Sequence, residues 1–199
     1  MNMNFCRRFG RLAFAGSLVA LLVACAHPIS LEPAKLPQRA ESGLVAKKVA
    51  YAISDADKAR EVTTPGGGGD KVSYFPYRDM ERALRAALRA VYQDVSAVKS
   101  ASDLAAVKEI GASYVFTPGI TTTSSSPSPF TWPPTKFSTE VSCTVTDANG
   151  VMVARVRANG EGAAEFEEFK SDFSLSARRA VGDVAEKLAA EIRNNEKLR

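Results

Sequence analysis

Histidine is almost missing from this chain: one of 199 residues, His27, which sits near the amino terminus in a proline-bearing stretch. No Ser–His–Asp triad and no histidine-based metal site can therefore be assembled in the body of the chain, and acid–base work would fall to carboxylates or lysines. Cysteine is scarce too, with only Cys6, Cys25 and Cys143. No apolar run approaches the roughly 20 residues of a membrane-spanning helix. Nor is there a strong charge of one sign. The balance is 26 basic against 22 acidic residues, and three of the basic ones crowd into the first eleven positions.

Those first positions carry Arg7, Arg8 and Arg11 without an acid, followed by the apolar stretch Leu12 to Val23 of about a dozen residues. A positive region followed by a short apolar one is the layout of a secretory signal that is removed. The stretch ends in Leu21-Leu22-Val23-Ala24-Cys25, which resembles the lipobox of bacterial lipoproteins. The resemblance implies cleavage before Cys25 and acylation of its thiol and new amine, so that palmitate-type chains hold the mature protein on a membrane. Two or more chains are needed for stable anchoring, since one alone holds only marginally. Ala26 is not the aspartate of inner-membrane retention, so the outer membrane, periplasm-facing, is the expected address.

Loss of residues 1–24 leaves 23 basic against 22 acidic residues, a net charge of +1. The basic excess belongs to the leader, and no nucleic-acid partner is expected, since that requires a basic patch on the folded domain. With Cys6 removed and Cys25 acylated, Cys143 has no intramolecular partner. The remaining 175 residues are enough to bury one core without staples.

Residues 25–43, with Pro28, Pro33 and Pro37 and little periodicity, read as a lipidated cysteine and flexible tether, and residues 44–199 as a single α/β domain. Val45, Val49, Tyr51 and Ile53 alternate as in a strand. Thr63 to Asp70, with four consecutive glycines, reads as a mobile loop, and Val72 to Tyr77 as a short strand. Asp79 is placed to cap a helix in which Met80, Leu84, Ala87, Leu88 and Val91 share a face. A strand over 95–99, a helix opened by Ser102 or Asp103 and stopped by Gly111, and a strand over 114–122 follow. The prolines of 124–134 exclude a central strand there.

Phe137, Thr139, Val141, Cys143 and Val145 alternate with polar residues, Asp147-Ala148-Asn149-Gly150 turns, and the chain pairs back to about residue 158 as an antiparallel hairpin. A last helix from Ser174 or Ser176 places Ala177, Val181, Val184, Leu188 and Ile192 on one stripe. The fold expected is α/β (α+β): a mixed β-sheet with helices packed on it and a carboxy-terminal helix.

Through the segments Thr63 to Tyr77, Thr117 to Thr135 and Gly160 to Ala180 the chain resembles small uncharacterised proteobacterial lipoproteins. In element order it is similar to the TolB amino-terminal domain and to the curli-secretion and penicillin-binding-protein-activator lipoproteins, a likeness of topology that implies partner binding and transfers no residue.

Motifs for chemistry fail on inspection. Ser96-x-x-Lys99 spells a penicillin-interacting signature but lacks the Lys-Thr-Gly that completes it. Gly66 to Lys71 lacks the Ser or Thr that follows the lysine of a phosphate loop. The acidic run Glu161, Glu165, Glu167, Glu168 and Asp172 reads as a solvated face beside Arg178 and Arg179. No cofactor and no metal is assigned. Aromatics are more suggestive: Phe130 and Trp132 among prolines, and Tyr74, Phe75 and Tyr77 beside the glycines, either anchor a partner or fold inward as a satellite core.

The expectation is thus a membrane-anchored, non-enzymatic envelope lipoprotein that docks a protein partner. Its rivals are a carrier or enzyme acting on lipid or peptidoglycan, with carboxylates such as Glu140 or Glu165 in a cleft, and an accessory subunit of a transport or secretion complex.

Overall fold

The computed structural model describes residues 26–199, so Cys25 and the expected leader, residues 1–24, lie outside the described residues. Eight strands and six α-helices among the described residues make up two sheets and their covering helices. The larger sheet contains β2 (Val45–Ala52), β5 (Tyr92–Val98), β6 (Tyr114–Ser125), β7 (Lys136–Asp147) and β8 (Met152–Ala163), in the order β5-β2-β6-β7-β8. The smaller has β1 (His27–Pro28), β3 (Val62–Pro65) and β4 (Lys71–Tyr74), in the order β1-β4-β3. Helices are α1 (Asp55–Lys58), α2 (Pro76–Asp79), α3 (Glu81–Arg89), α4 (Leu104–Glu109), α5 (Phe166–Phe169) and α6 (Leu175–Asn194).

The larger sheet is mixed, as the element order demands. β2 pairs parallel with β5 and β6, each reached through a helical crossover, while β6, β7 and β8 run antiparallel through loops and one tight turn. Gly150 closes the β7–β8 turn at φ 82, a left-handed conformation that glycine adopts at no steric cost. Asp103 caps α4 by accepting from Ala106 N, and Gly111 at φ 68 ends it. Asp79 does not cap the helix after it. The chain is already helical from Pro76, and the Asp79 carboxylate accepts from Phe75 N one turn back.

One face of the larger sheet buries the main core under α3 and α6, with Tyr51, Phe116, Val141, Cys143 and Val145 from the strands meeting Leu84, Leu88, Val181, Val184 and Leu188. The six-residue α4 covers the other face only over β2, β5 and the start of β6, through Ala50, Ala52, Val107, Ala112 and Val115. Beyond Val115 no element among the described residues covers that face.

Two expectations are corrected. The segment read as a tether is folded from residue 27 onward: His27 and Pro28 pair parallel with Val72 and Ser73, Ile29 is 7% exposed and Leu31 0%. The strap then crosses α6, where Ala34 N donates to Arg178 O, the Arg178 guanidinium to Glu32 O, and Ser30 N to the Ser174 hydroxyl. A lone leucine and isoleucine between prolines have no period to announce them, yet the groove between α3 and α6 takes them in. The glycine run is likewise held, with Gly67 N donating to Trp132 O at 2.8 Å and Gly68 N to Ser128 O at 3.2 Å. A Cβ on Gly67 would stand 1.8 Å from Thr131 O, so these glycines serve close backbone approach.

Candidate binding face

The uncovered face belongs to β6, β7 and β8, whose twelve residues each outrun the helices. Strand pleating puts Thr117, Gly119, Thr121, Thr123 and Ser125 of β6 on it, with Lys136, Ser138, Glu140, Ser142 and Thr144 of β7. β8 adds Arg155, Arg157, Asn159, Glu161 and Ala163. Register sets them in cross-strand rows, Thr123–Ser138–Glu161, Thr121–Glu140–Asn159, Gly119–Ser142–Arg157 and Thr117–Thr144–Arg155. No large apolar side chain interrupts the surface. Thr123 and Ser138 share a hydrogen bond of 2.7 Å, and Arg157 pairs with Glu140. Toward the end where β6 runs out and β7 begins, the face hollows into a cavity of about 730 Å³ lined by Thr123, Ser125, Lys136, Ser138 and Glu161.

The outer edge of β8 borders this face. Ala164 N donates to Thr135 O at 2.9 Å. Even-numbered residues of β8 therefore bond to β7, and the backbone groups of the odd-numbered ones point away from the sheet. Two of them are capped by α6: Glu161 N donates to the Asp183 carboxylate and Ala163 O accepts from Arg179. Among the described residues nothing bonds to the outward backbone groups of Arg155, Arg157 and Asn159, which are open to a further strand. Helix α6 reaches this edge because β8 carries Gly160 and Gly162, where a Cβ would stand 2.2 Å from Ala180 O and 1.9 Å from Ser176 O.

The sequence-selected residues part company. Tyr74 and Tyr77 are core: Tyr74 is 2% exposed with its hydroxyl between Thr64 and Thr122, and Tyr77 accepts from Ile120 N at 3.2 Å. Burial raises the Tyr74 phenol above its ordinary pKa. Phe75 is half-buried under the Arg78 guanidinium. Trp132 is half-buried too, stacked on His27 at 4.3 Å and tilted against Phe173 at 5.0 Å. Phe130 alone stands out in solvent, at 93% exposure.

Cys143 is buried on the core face of β7, where desolvation pushes its thiol up to about 12, so no reactive thiolate forms there. Lys99 of the Ser-x-x-Lys spelling pairs with Asp55. In the acidic segment Glu168 pairs with Arg179 and Asp172 with Arg178. Among the described residues no three His, Cys, Asp or Glu side chains gather as metal ligands. No described helix is long and apolar enough to cross a membrane.

The architecture is that of a mixed-sheet α/β domain with an antiparallel arm open on one side. No family model matches the chain, and no curated protein matches it. Solved structures similar to it include a Xanthomonas campestris protein of the family DUF330, at 10% identity and TM-score 0.46 over 83% of this chain and 93% of that one. The PelC dodecamer of Paraburkholderia phytofirmans is similar at 17% identity and TM-score 0.39, over 76% of this chain and 94% of that one. A protein from Caulobacter crescentus described as a lipoprotein is similar at 14% identity and TM-score 0.33, over 56% and 75% of the two chains. None of these likenesses transfers a residue, ligand or partner.

Proposed function

We propose that this chain is a lipid-anchored envelope protein, acylated at Cys25, whose domain acts by docking a protein partner on the open face and free edge of the β6–β8 arm. The observation that carries the reading is the uncovered, largely polar face of three long strands, with a strand edge beside it that α6 caps at only one end. Its magnitude favours using both parts. The nine residues from Thr117 to Ser125, by three strands, make a strip about 27 Å long and about 14 Å wide, roughly 400 Å². A standard protein interface takes about 800 Å² from each partner, so the face alone is too small and a partner gains the rest along β8. An added strand would bond to the backbone of Arg155, Arg157 and Asn159, the β-augmentation mode, with affinity from main-chain bonds and selectivity from the two arginines.

The non-catalytic part of the reading is supported by the cavity at the end of the face, where Thr123 and Ser138 bond to each other and the charged side chains are limited to Lys136 and Glu161. Photoreactive residues placed in living cells at Thr121 and Ser142 on the face, and at Lys187 on the opposite, helical side, test the proposal. The expected result is one envelope protein captured from both face positions, absent at Lys187, and lost when Asn159→Pro blocks strand addition. Capture from Lys187 alone, or turnover of an envelope substrate that disappears on Glu161→Gln, would overturn it.

A further inference from the structure

The structure leaves almost no chain between the acylated cysteine and the folded domain. His27 is already a strand residue, paired with Val72, and its ring is stacked on Trp132. Two peptide units separate its Cα from that of Cys25, a reach of at most ~7 Å. A domain with so short a lead cannot stand off or tumble freely. Whichever surface surrounds His27 is held against the bilayer.

That surface carries the exposed aromatics. Trp132 links His27 to Phe173, which is 47% exposed, and two residues before Trp132 the proline loop lifts Phe130 into solvent at 93%. Phe166, 57% exposed, borders the same loop, sharing a cavity with Pro127, Ser128 and Thr131. Three of the five large apolar side chains most exposed among the described residues thus lie at the anchored end. The other two, Val151 and Met152, are at the β7–β8 turn, the far end of strands about 37 Å long. Pro127, Pro129, Pro133 and Pro134 stiffen the loop that presents Phe130, which lowers the entropy lost when its ring is held. Lys71 and Lys136 are exposed nearby, but Asp70 and Glu165 offset them, so the contact rests on the aromatic rings and not on a basic patch.

We infer that Phe130, with Phe166 and Phe173 beside it, is the membrane-contact face of this protein, its rings sunk into the interfacial layer of the bilayer that holds the Cys25 acyl chains. The aromatic loop is then not the docking surface for a protein. The arm stands with its β7–β8 turn away from the membrane, and the open face runs along the membrane normal. This inference rests on acylation at Cys25, and its test separates the two.

The full chain, expressed with its leader and extracted from membranes, is reconstituted into phosphatidylethanolamine and phosphatidylglycerol vesicles whose acyl chains carry bromine close to the headgroup. Trp132 is the sole tryptophan, so Trp132→Phe gives a silent background common to two probes, Phe130→Trp and Val151→Trp. Intact mass and flotation with the vesicles report the acyl anchor, and emission reports depth. Interfacial side chains reach about 5–10 Å into the headgroup and acyl boundary, so the expected quenching at position 130 is about twofold or more above that at 151. An acylated, floating protein whose two probes are quenched alike, or not at all, would overturn the membrane-contact face and leave the anchor standing. A chain without acyl mass that does not float would remove the anchor, and the inference with it.

Discussion

Replacing Leu31 by alanine distinguishes a folded strap from a tether more sharply than any other single change. Its side chain is fully buried, although it lies only six residues after Cys25. Truncating a fully buried leucine costs about 2–5 kcal/mol, the transfer term plus the cavity left behind, and a middle value of about 3 is apt here because the prolines on the strap hinder collapse around the void. For a chain of 150–250 residues each kcal/mol lowers Tm by about 2–4 °C, so Leu31→Ala should lower it by roughly 9 °C. Thermal unfolding by far-UV circular dichroism in a Cys25→Ser background reads this, beside Lys35→Ala, a nearby exposed residue whose change should stay within about 0.5 kcal/mol. A Leu31→Ala midpoint within a degree or two of its parent would mean that the strap frays in solution. The short lead from anchor to domain would then fall as well.

Glycine substitutions on the arm should split by which face they touch. Gly162→Ala drives a Cβ to 1.9 Å from Ser176 O and should destabilise by about 1–3 kcal/mol in urea unfolding, whereas Gly119→Ala, on the open face with its nearest contact 3.6 Å away, should be tolerated. Equal effects would refute the close helix approach. The Glu168 carboxyl is lowered from 4.5 to about 2 by the Arg179 guanidinium and by the Glu165 backbone N–H. A depressed folded value stabilises above the unfolded one and loses that stabilisation as pH falls from about 4.5 toward 2. The melting difference between wild type and Glu168→Gln should therefore shrink across that window. A difference independent of pH would show that the pair does not form.

The hairpin and the last helix are legible in the sequence because each carries a complete period. Five residues alternate on β7 before a turn ending in glycine, and α6 has one unbroken apolar stripe. The strap is not legible, since Ile29 and Leu31 are two apolar residues in a run of prolines, and what buries them is a groove built 50 to 150 residues later. The three-stranded small sheet escapes for the same reason: four glycines read as mobility, while their partner, the carbonyl of Trp132, is 65 residues further on. Periodicity reports what an element does to its own faces. It is silent on backbone meeting backbone.

The aromatics show where residue type stops being informative. Tyr74 and Phe130 offer the same kind of ring beside the same kind of turn-forming residues, and only one is core. The difference lies in where the flanking chain goes. Tyr74 ends β4 and its hydroxyl meets Thr122 of β6, a contact between elements 48 residues apart, whereas Phe130 sits at the apex of a loop between β6 and β7 with prolines on both sides and no strand to return to. A ring at such an apex must be wet or must meet something outside the chain. On the proposed acylation of Cys25, two residues from His27, the nearest such thing is the bilayer itself, and the polar arm is what remains to face away from it.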